Sequence, residues 1–187
     1  MEIKDHWLVG AKQVPSPNCN ERPVGIEPDL IVIHCISLPP GQYGSNHIEQ
    51  FFQNCLCADE HPYFEEIHKM EVSSHLLIRR DGEIVQFVPF NQRAWHAGKS
   101  CYRDRERFND FSIGIELEGT DWQPYELSQY ETLARLVLAL QKSYPAIVDD
   151  NLVGHSTIAP DRKTDPGPSF DWNRLAGLLA VFRSEAV

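Results

Sequence analysis

The chain lacks any apolar run near the roughly 20 residues that cross a bilayer. Its longest, Leu30 to Ile36, is interrupted by His34. Residues 1 to 10 carry Glu2, Lys4, Asp5 and His6 where a signal peptide needs an unbroken apolar core, so a cytoplasmic chain without an export signal is expected. Positive charge is also scarce, with 17 Lys and Arg against 27 Asp and Glu for a formal charge of -10. That excludes a broad basic face for phosphates and predicts no nucleic-acid or membrane partner. Arg103, Arg105 and Arg107 form one local cluster, but Asp104 and Glu106 dilute its field. The 5 cysteines are odd in number and scattered, which makes no disulfide framework and suits a reducing compartment. No internal repeat or low-complexity tract divides the 187 residues, which fit a single domain over 1–187.

Within that domain, residues 1–29 are rich in Pro, Asn and Glu and read as an irregular segment wrapped on the rest. Leu30-Ile31-Val32-Ile33-His34-Cys35-Ile36 is apolar on both faces, the pattern of a central strand covered on both sides, with His34 near its carboxyl end. Ile48, Phe51, Phe52 and Cys55 recur at helical spacing. Cys55-Leu56-Cys57 with His61 lacks a second cysteine pair for structural zinc, so these cysteines are read as core. Val72 to Arg79 and Ile84 to Val88 flank Asp81-Gly82, which predicts a hairpin with a type I′ turn. His75, in the first of these strands, either faces the same pocket as His34 or packs.

Phe111 to Gly119 alternates by twos: Phe111, Ile113, Ile115 and Leu117 share one face, Ser112, Gly114, Glu116 and Glu118 the other. A carboxylate in mid-strand is costly unless its face is wet or its charge is used. An amphipathic helix follows on Leu127, Tyr130, Leu133, Val137 and Leu140, with Ser128 and Glu131 as a capping pair and Pro145 beyond its end. A last helix runs from about Trp172 to Phe182. The expected fold class is α/β, a mixed central sheet flanked by helices.

Gly154 to Pro168 packs His155, Lys163 and Asp165 into a segment too rich in Pro and Gly for a long helix. With His34 they make a set whose types zinc accepts: two imidazoles and a carboxylate, leaving a fourth position for water. That is the donor set of a catalytic site, and it points to hydrolysis of an amide or ester. Glu116 is the candidate general base and later acid, and Lys163 the candidate cation over the oxyanion. A cysteine hydrolase built on Cys35 or Cys101 is disfavoured, because neither lies in a strand-to-helix nucleophile turn. Trp95, in a loop before His96, Ala97 and Gly98, suits either stacking on a sugar or anchoring the loop.

Four stretches, 33–41, 93–98, 109–121 and 154–172, closely resemble the zinc N-acetylmuramoyl-L-alanine amidase family, and within it the cytosolic enzymes of bacterial cell-wall recycling. The resemblance runs in consistent order from about residue 7 to 175. It implies the fold shared with phage amidases and peptidoglycan-recognition proteins. It also implies cleavage of the amide joining 1,6-anhydro-N-acetylmuramic acid to L-alanine, on small soluble muropeptides and by a monomer with one Zn2+. The family's zinc ligands fall on His34, His155 and Asp165, its catalytic pair on Glu116 and Lys163. Arg107 matches an arginine that pairs with a stem-peptide carboxylate, and Trp95, His96 and Ala97 match the loop bordering the sugar. Cys35 and Glu71 depart from the asparagine and arginine expected there. The resemblance further implies a role in β-lactamase induction, since uncleaved muropeptides are inducing signals in many bacteria. The rivals are a secreted or phage-type amidase on polymeric peptidoglycan and a non-catalytic muropeptide-binding module.

Overall fold

The computed structural model describes residues 1–185. Strands β1 (Ile3–Lys4) and β2 (Trp7–Leu8) form a small hairpin, β3 (Lys12–Gln13) follows, and β4 (Cys19–Glu21) completes the N-terminal segment. β5 spans Leu30–Ile36, followed by helices α1 (His47–Phe52) and α2 (Pro62–Ile67). Strands β6 (Leu76–Ile78), β7 (Ile84–Gln86) and β8 (Gln92–Ala94) come next, then a short ribbon of β9 (Cys101–Tyr102) and β10 (Arg105–Glu106). The chain continues through β11 (Ser112–Glu118), α3 (Leu127–Ser143), β12 (Leu152–Gly154), α4 (His155–Ile158) and α5 (Trp172–Glu185).

Six strands form the central sheet in the order β12-β5-β11-β6-β7-β3. β12, β5, β11 and β6 are mutually parallel, and β7 runs antiparallel to β6, so the sheet is mixed as its alternating helices and one tight hairpin require. Period-2 alternation then sorts side chains between two faces. Ile31 and Ile33 of β5, with Ile113, Ile115 and Leu117 of β11, pack under α3 and α5 through Leu133, Val137, Leu140, Leu175 and Leu179. Each such side chain, taken fully out of water, contributes about 1.5–3 kcal/mol, so this face anchors the fold. The other face carries two separate clusters. One lies under α1 and α2 around Phe52, Phe64 and Leu77. The other joins Leu30 and Val32 to Phe108, Val153 and Ile158. His34 and Glu116 project from that same face into a groove that the first of these clusters borders through Leu38, Phe51 and Phe52.

Several sequence expectations are corrected. The segment 1–29 is not irregular throughout: β3 pairs with β7, and Val14 and Ser16 extend the ladder by donating to the Gln86 and Phe87 carbonyls. Such pairing caps an edge whose backbone groups would otherwise lack partners. The strand expected from Val72 begins only at Leu76. Its turn is not type I′, because of Asp81 and Gly82 only Gly82 has positive φ, at 91°. Gly82 N–H donates to the Arg79 carbonyl and Arg79 N–H to the Glu83 carbonyl, a type I turn closed by a glycine bulge. The capping contact of α3 is Gln129 Oε1 accepting from Glu126 N–H at 3.1 Å, while Ser128 Oγ donates to the Arg80 carbonyl. Leu127 is exposed, outside the buried stripe, and Cys55 and Cys57 are exposed rather than core. They follow α1 in a loop, where helical spacing no longer aims a side chain inward. All five cysteines are free thiols. No helix among the described residues is long and apolar enough to cross a membrane.

Candidate active site

Three neighbouring strands present the site at their carboxyl ends, where open parallel sheets place ligands. In the parallel register of β11 with β5, Glu116 lies directly beside His34, so the two side chains leave the sheet on the same face. On the other side of β5, Gly154 of β12 pairs with Ile33, which puts His155 level with His34. Asp165 arrives from the loop after α4. That loop is seated by Ser156 N–H donating to the Asp165 carbonyl at 2.9 Å and by the Tyr125 hydroxyl donating to the Pro166 carbonyl at 2.7 Å. Gly154 makes the approach possible: a Cβ there would stand 2.8 Å from Pro166 Cδ.

The result is a tight triangle. His34 Nδ1 lies 2.9 Å from His155 Nδ1 and 3.1 Å from Asp165 Oδ2, and His155 Nδ1 lies 3.0 Å from the same oxygen. Ligands about 2.0–2.1 Å from a tetrahedral ion are separated by about 3.3 Å, so these side chains fit one metal with little movement. The chemistry of the atoms agrees. Two imidazoles and a carboxylate converge with lone pairs and too few protons to satisfy one another, which a cation resolves. Burial pushes His34 down to about 4, so it stays neutral and able to ligate at pH 7. Burial alone would raise Asp165, but its close contacts with His155 and His34 outweigh it and hold the carboxyl well below its ordinary range.

Glu116 is mostly buried, and its Oε2 has no hydrogen-bond partner among the described residues. Burial, reinforced by Asp165 and opposed by Lys163, holds its carboxyl well above the usual value. A buried oxygen left unpaired costs about 1–3 kcal/mol, so this orphan is aimed at something the groove receives. Lys163 lines the same groove, and its charge reaches both Glu116 and His34. The groove has a volume of about 620 Å³, and apolar side chains including Phe51, Ile67, Met70 and Trp122 line it together with the triangle.

The other expected site residues separate. Trp95 borders the groove, its indole N–H tied to Asn20 Oδ1 at 2.8 Å. His96 also borders it, with Nδ1 2.9 Å from His34 Nε2. Ala97 is fully buried, away from the groove, and its carbonyl accepts from His155 Nε2 at 3.2 Å. Arg107 stands 80% exposed outside the groove, on a smaller adjoining cavity that Gly98 and Arg162 also line. His75 packs: its Nδ1 accepts from Gly114 N–H and its Nε2 donates to the Gln92 carbonyl. Cys35 bonds to Asp121 Oδ1, and Glu71 is exposed. Sequence reasoning missed Asn109, Tyr125 and Arg162, whose polar atoms hold the site's loops; nothing in their local spacing marks them.

An α/β sheet that brings two imidazoles and a carboxylate together at adjoining strand ends, beside a buried glutamate, offers the donor set a single metal ion takes in hydrolases. The family model of N-acetylmuramoyl-L-alanine amidase matches residues 11–168, and the chain belongs to that family. It is 58% identical over 175 residues to the 1,6-anhydro-N-acetylmuramyl-L-alanine amidase AmpD of Salmonella typhimurium (strain SL1344), covering 94% of this chain and 93% of that one. A crystal structure of an AmpD selenomethionine derivative superposes with a TM-score of 0.93 at 55% identity, covering 96% of this chain and 99% of the other. The amidase AmiD of Escherichia coli, in complex with the substrate anhydro-N-acetylmuramic acid-L-Ala-D-γ-Glu-L-Lys, is similar at 31% identity and a TM-score of 0.61, over 85% of this chain and 61% of AmiD.

Proposed function

We propose that the chain is a zinc amidase that hydrolyses the bond between 1,6-anhydro-N-acetylmuramic acid and L-alanine in soluble muropeptides. It acts in cytoplasmic peptidoglycan recycling as a monomer, and its loss would raise the muropeptide signal for β-lactamase induction where a host has that circuit. The observation that carries this reading is the convergence of His34, His155 and Asp165 beside the orphaned carboxyl of Glu116, in a chain so similar to AmpD over nearly its whole length.

His34, His155 and Asp165 would hold Zn2+, which supplies Lewis acidity and an acidified water at neutral pH. Glu116 accepts the proton of the attacking water on its free Oε2 and returns it to the alanine nitrogen as the amine leaves. Buried in a low-dielectric wall, that carboxyl trades a proton more readily than an exposed one at the same pH. The Lys163 ammonium faces the oxygen that gains charge as the carbonyl carbon turns tetrahedral. Trp95 borders the muramoyl end of the groove, and Arg107, on the adjoining cavity and paired with Asp110, meets a stem-peptide carboxylate by turning its exposed side chain. The deciding experiment is turnover of anhydro-muramoyl tripeptide by zinc-loaded protein, read by mass spectrometry of released peptide, beside intact sacculi. Fast release from the soluble substrate and little from sacculi is expected. Efficient digestion of sacculi would favour the phage-type reading, and binding without cleavage the recognition module.

A further inference from the structure

The two imidazoles of the triangle are steered by different means. His155 Nε2 donates to the Ala97 carbonyl, and a carbonyl only accepts, so that ring must offer its Nδ1 lone pair. His34 Nε2 instead meets His96 Nδ1 at 2.9 Å, a nitrogen that can donate or accept. The proton direction there is set further along. His96 Nε2 lies 3.2 Å from Ser112 Oγ, and Ser112 Oγ donates its one proton to the Phe108 carbonyl. With that proton committed, Ser112 accepts from His96 Nε2–H, which leaves His96 Nδ1 bare to accept from His34 Nε2–H. His34 Nδ1 is thereby left as a lone pair.

We infer that His96 and Ser112 are positioning residues for the metal, a relay that ends on the Phe108 carbonyl and fixes the tautomer and ring plane of His34. Both nitrogens of His96 are spent inside the protein, so its contact with the groove is not by hydrogen bonding. The loop Trp95 to Gly98 becomes a clamp on both histidines, through the ring of His96 and the carbonyl of Ala97. Asn109 Oδ1 holds that clamp by accepting from His96 N–H at 3.0 Å and Ala97 N–H at 2.7 Å. Gly114 gives it room, since a Cβ there would stand 2.5 Å from His96 Cγ.

This inference rests on the metal binding proposed above, and two measurements keep the two apart. Long-range proton–nitrogen correlation spectra of histidine-labelled protein should show His96 protonated at Nε2 and bare at Nδ1, with zinc or without it. A proton on His96 Nδ1 would overturn the relay. Zinc affinity by chelator competition should fall about 10- to 100-fold in His96→Phe and about tenfold in Ser112→Ala. His96→Asn, whose Oδ1 takes the place of Nδ1, should recover most of the loss. Equal zinc affinity in wild type and both disrupting variants, or no recovery with Asn, would overturn the relay. Melting of the zinc-free variants checks folding, and should His96→Phe fail it, Ser112→Ala and the tautomer spectrum still decide. Wild-type protein that binds no zinc would sink the metal reading while the spectrum still judges the relay.

Discussion

Half of this site grows from strands and half from loops, and the two halves are held by different forces. His34 and Glu116 stand on β5 and β11, whose backbones are paired residue by residue from Leu30 opposite Ser112 to Ile36 opposite Glu118. Their positions are a consequence of sheet register, supported by the large apolar face under α3 and α5. Asp165 and Lys163 lie in a loop without regular pairing, held by a few polar contacts such as Tyr125 to Pro166 and by close packing at Gly154. Placement on strands thus follows from a ladder the fold needs anyway, whereas on the loop each contact has to be supplied individually.

The strongest way to sharpen that contrast is Glu116→Gln. It removes the proton carrier but leaves the ladder intact, so turnover should fall by about 1,000-fold with zinc content unchanged. Steady-state release of peptide with parallel elemental analysis reads both. Turnover within tenfold of wild type would end the role of Glu116. Next, Lys163→Ala should cost roughly 100-fold in turnover with full zinc, the weight of one oxyanion donor. If that variant also loses metal, the lysine shapes the loop rather than the reaction.

Tyr125→Phe attacks chiefly the loop half, because it strips the Pro166 carbonyl of its buried partner. It should cost about 1–3 kcal/mol in urea unfolding. Amides of residues 159–167 should then exchange faster while those of β5 keep their protection. Equal loosening of both regions would break the comparison. The mildest effect concerns pH in zinc-free protein. The carboxyl of Glu116 is held above its unfolded value by burial, so the folded chain takes up a proton there. Its contribution is full below the unfolded value, about 4.3, and is lost as pH rises through the raised folded value. Glu116→Gln should flatten that decline, so the variant gains on wild type as pH increases; parallel melting curves across pH test the sign.

Much of the strand half was legible before folding. The alternation of Ser112 to Glu118 separates Ile113, Ile115 and Leu117 from Ser112, Gly114 and Glu116, and the structure keeps that division, whereas Phe111, expected with the first set, precedes the strand and packs with Leu30, Val32 and Phe108 instead. The turn at Asp81-Gly82 was legible as a turn but not in type, because choosing between an Asp-Gly pair of positive φ angles and a single bulged glycine depends on the strands it joins. Cys55 and Cys57 misled for a related reason: helical spacing says nothing once the helix has ended. Arg107 shows the limit for charged residues, since a type and a motif do not tell which side of a loop a long side chain takes.

What the sequence determined unaided was an inventory with directions: two histidines and an aspartate of metal-binding type, a glutamate on the polar side of a strand, and an apolar side for the helices. These follow from side-chain chemistry and from periods of two and of about four, which are local. Only the tertiary structure decided which ring nitrogens meet, and that His96 and Ala97 stand behind the histidines. It also decided that a tyrosine 40 residues before Asp165 seats the loop that carries it. Those outcomes depend on register between strands distant in the chain and on protons whose placement is settled by the last carbonyl in a row, and neither leaves a mark on neighbouring residues.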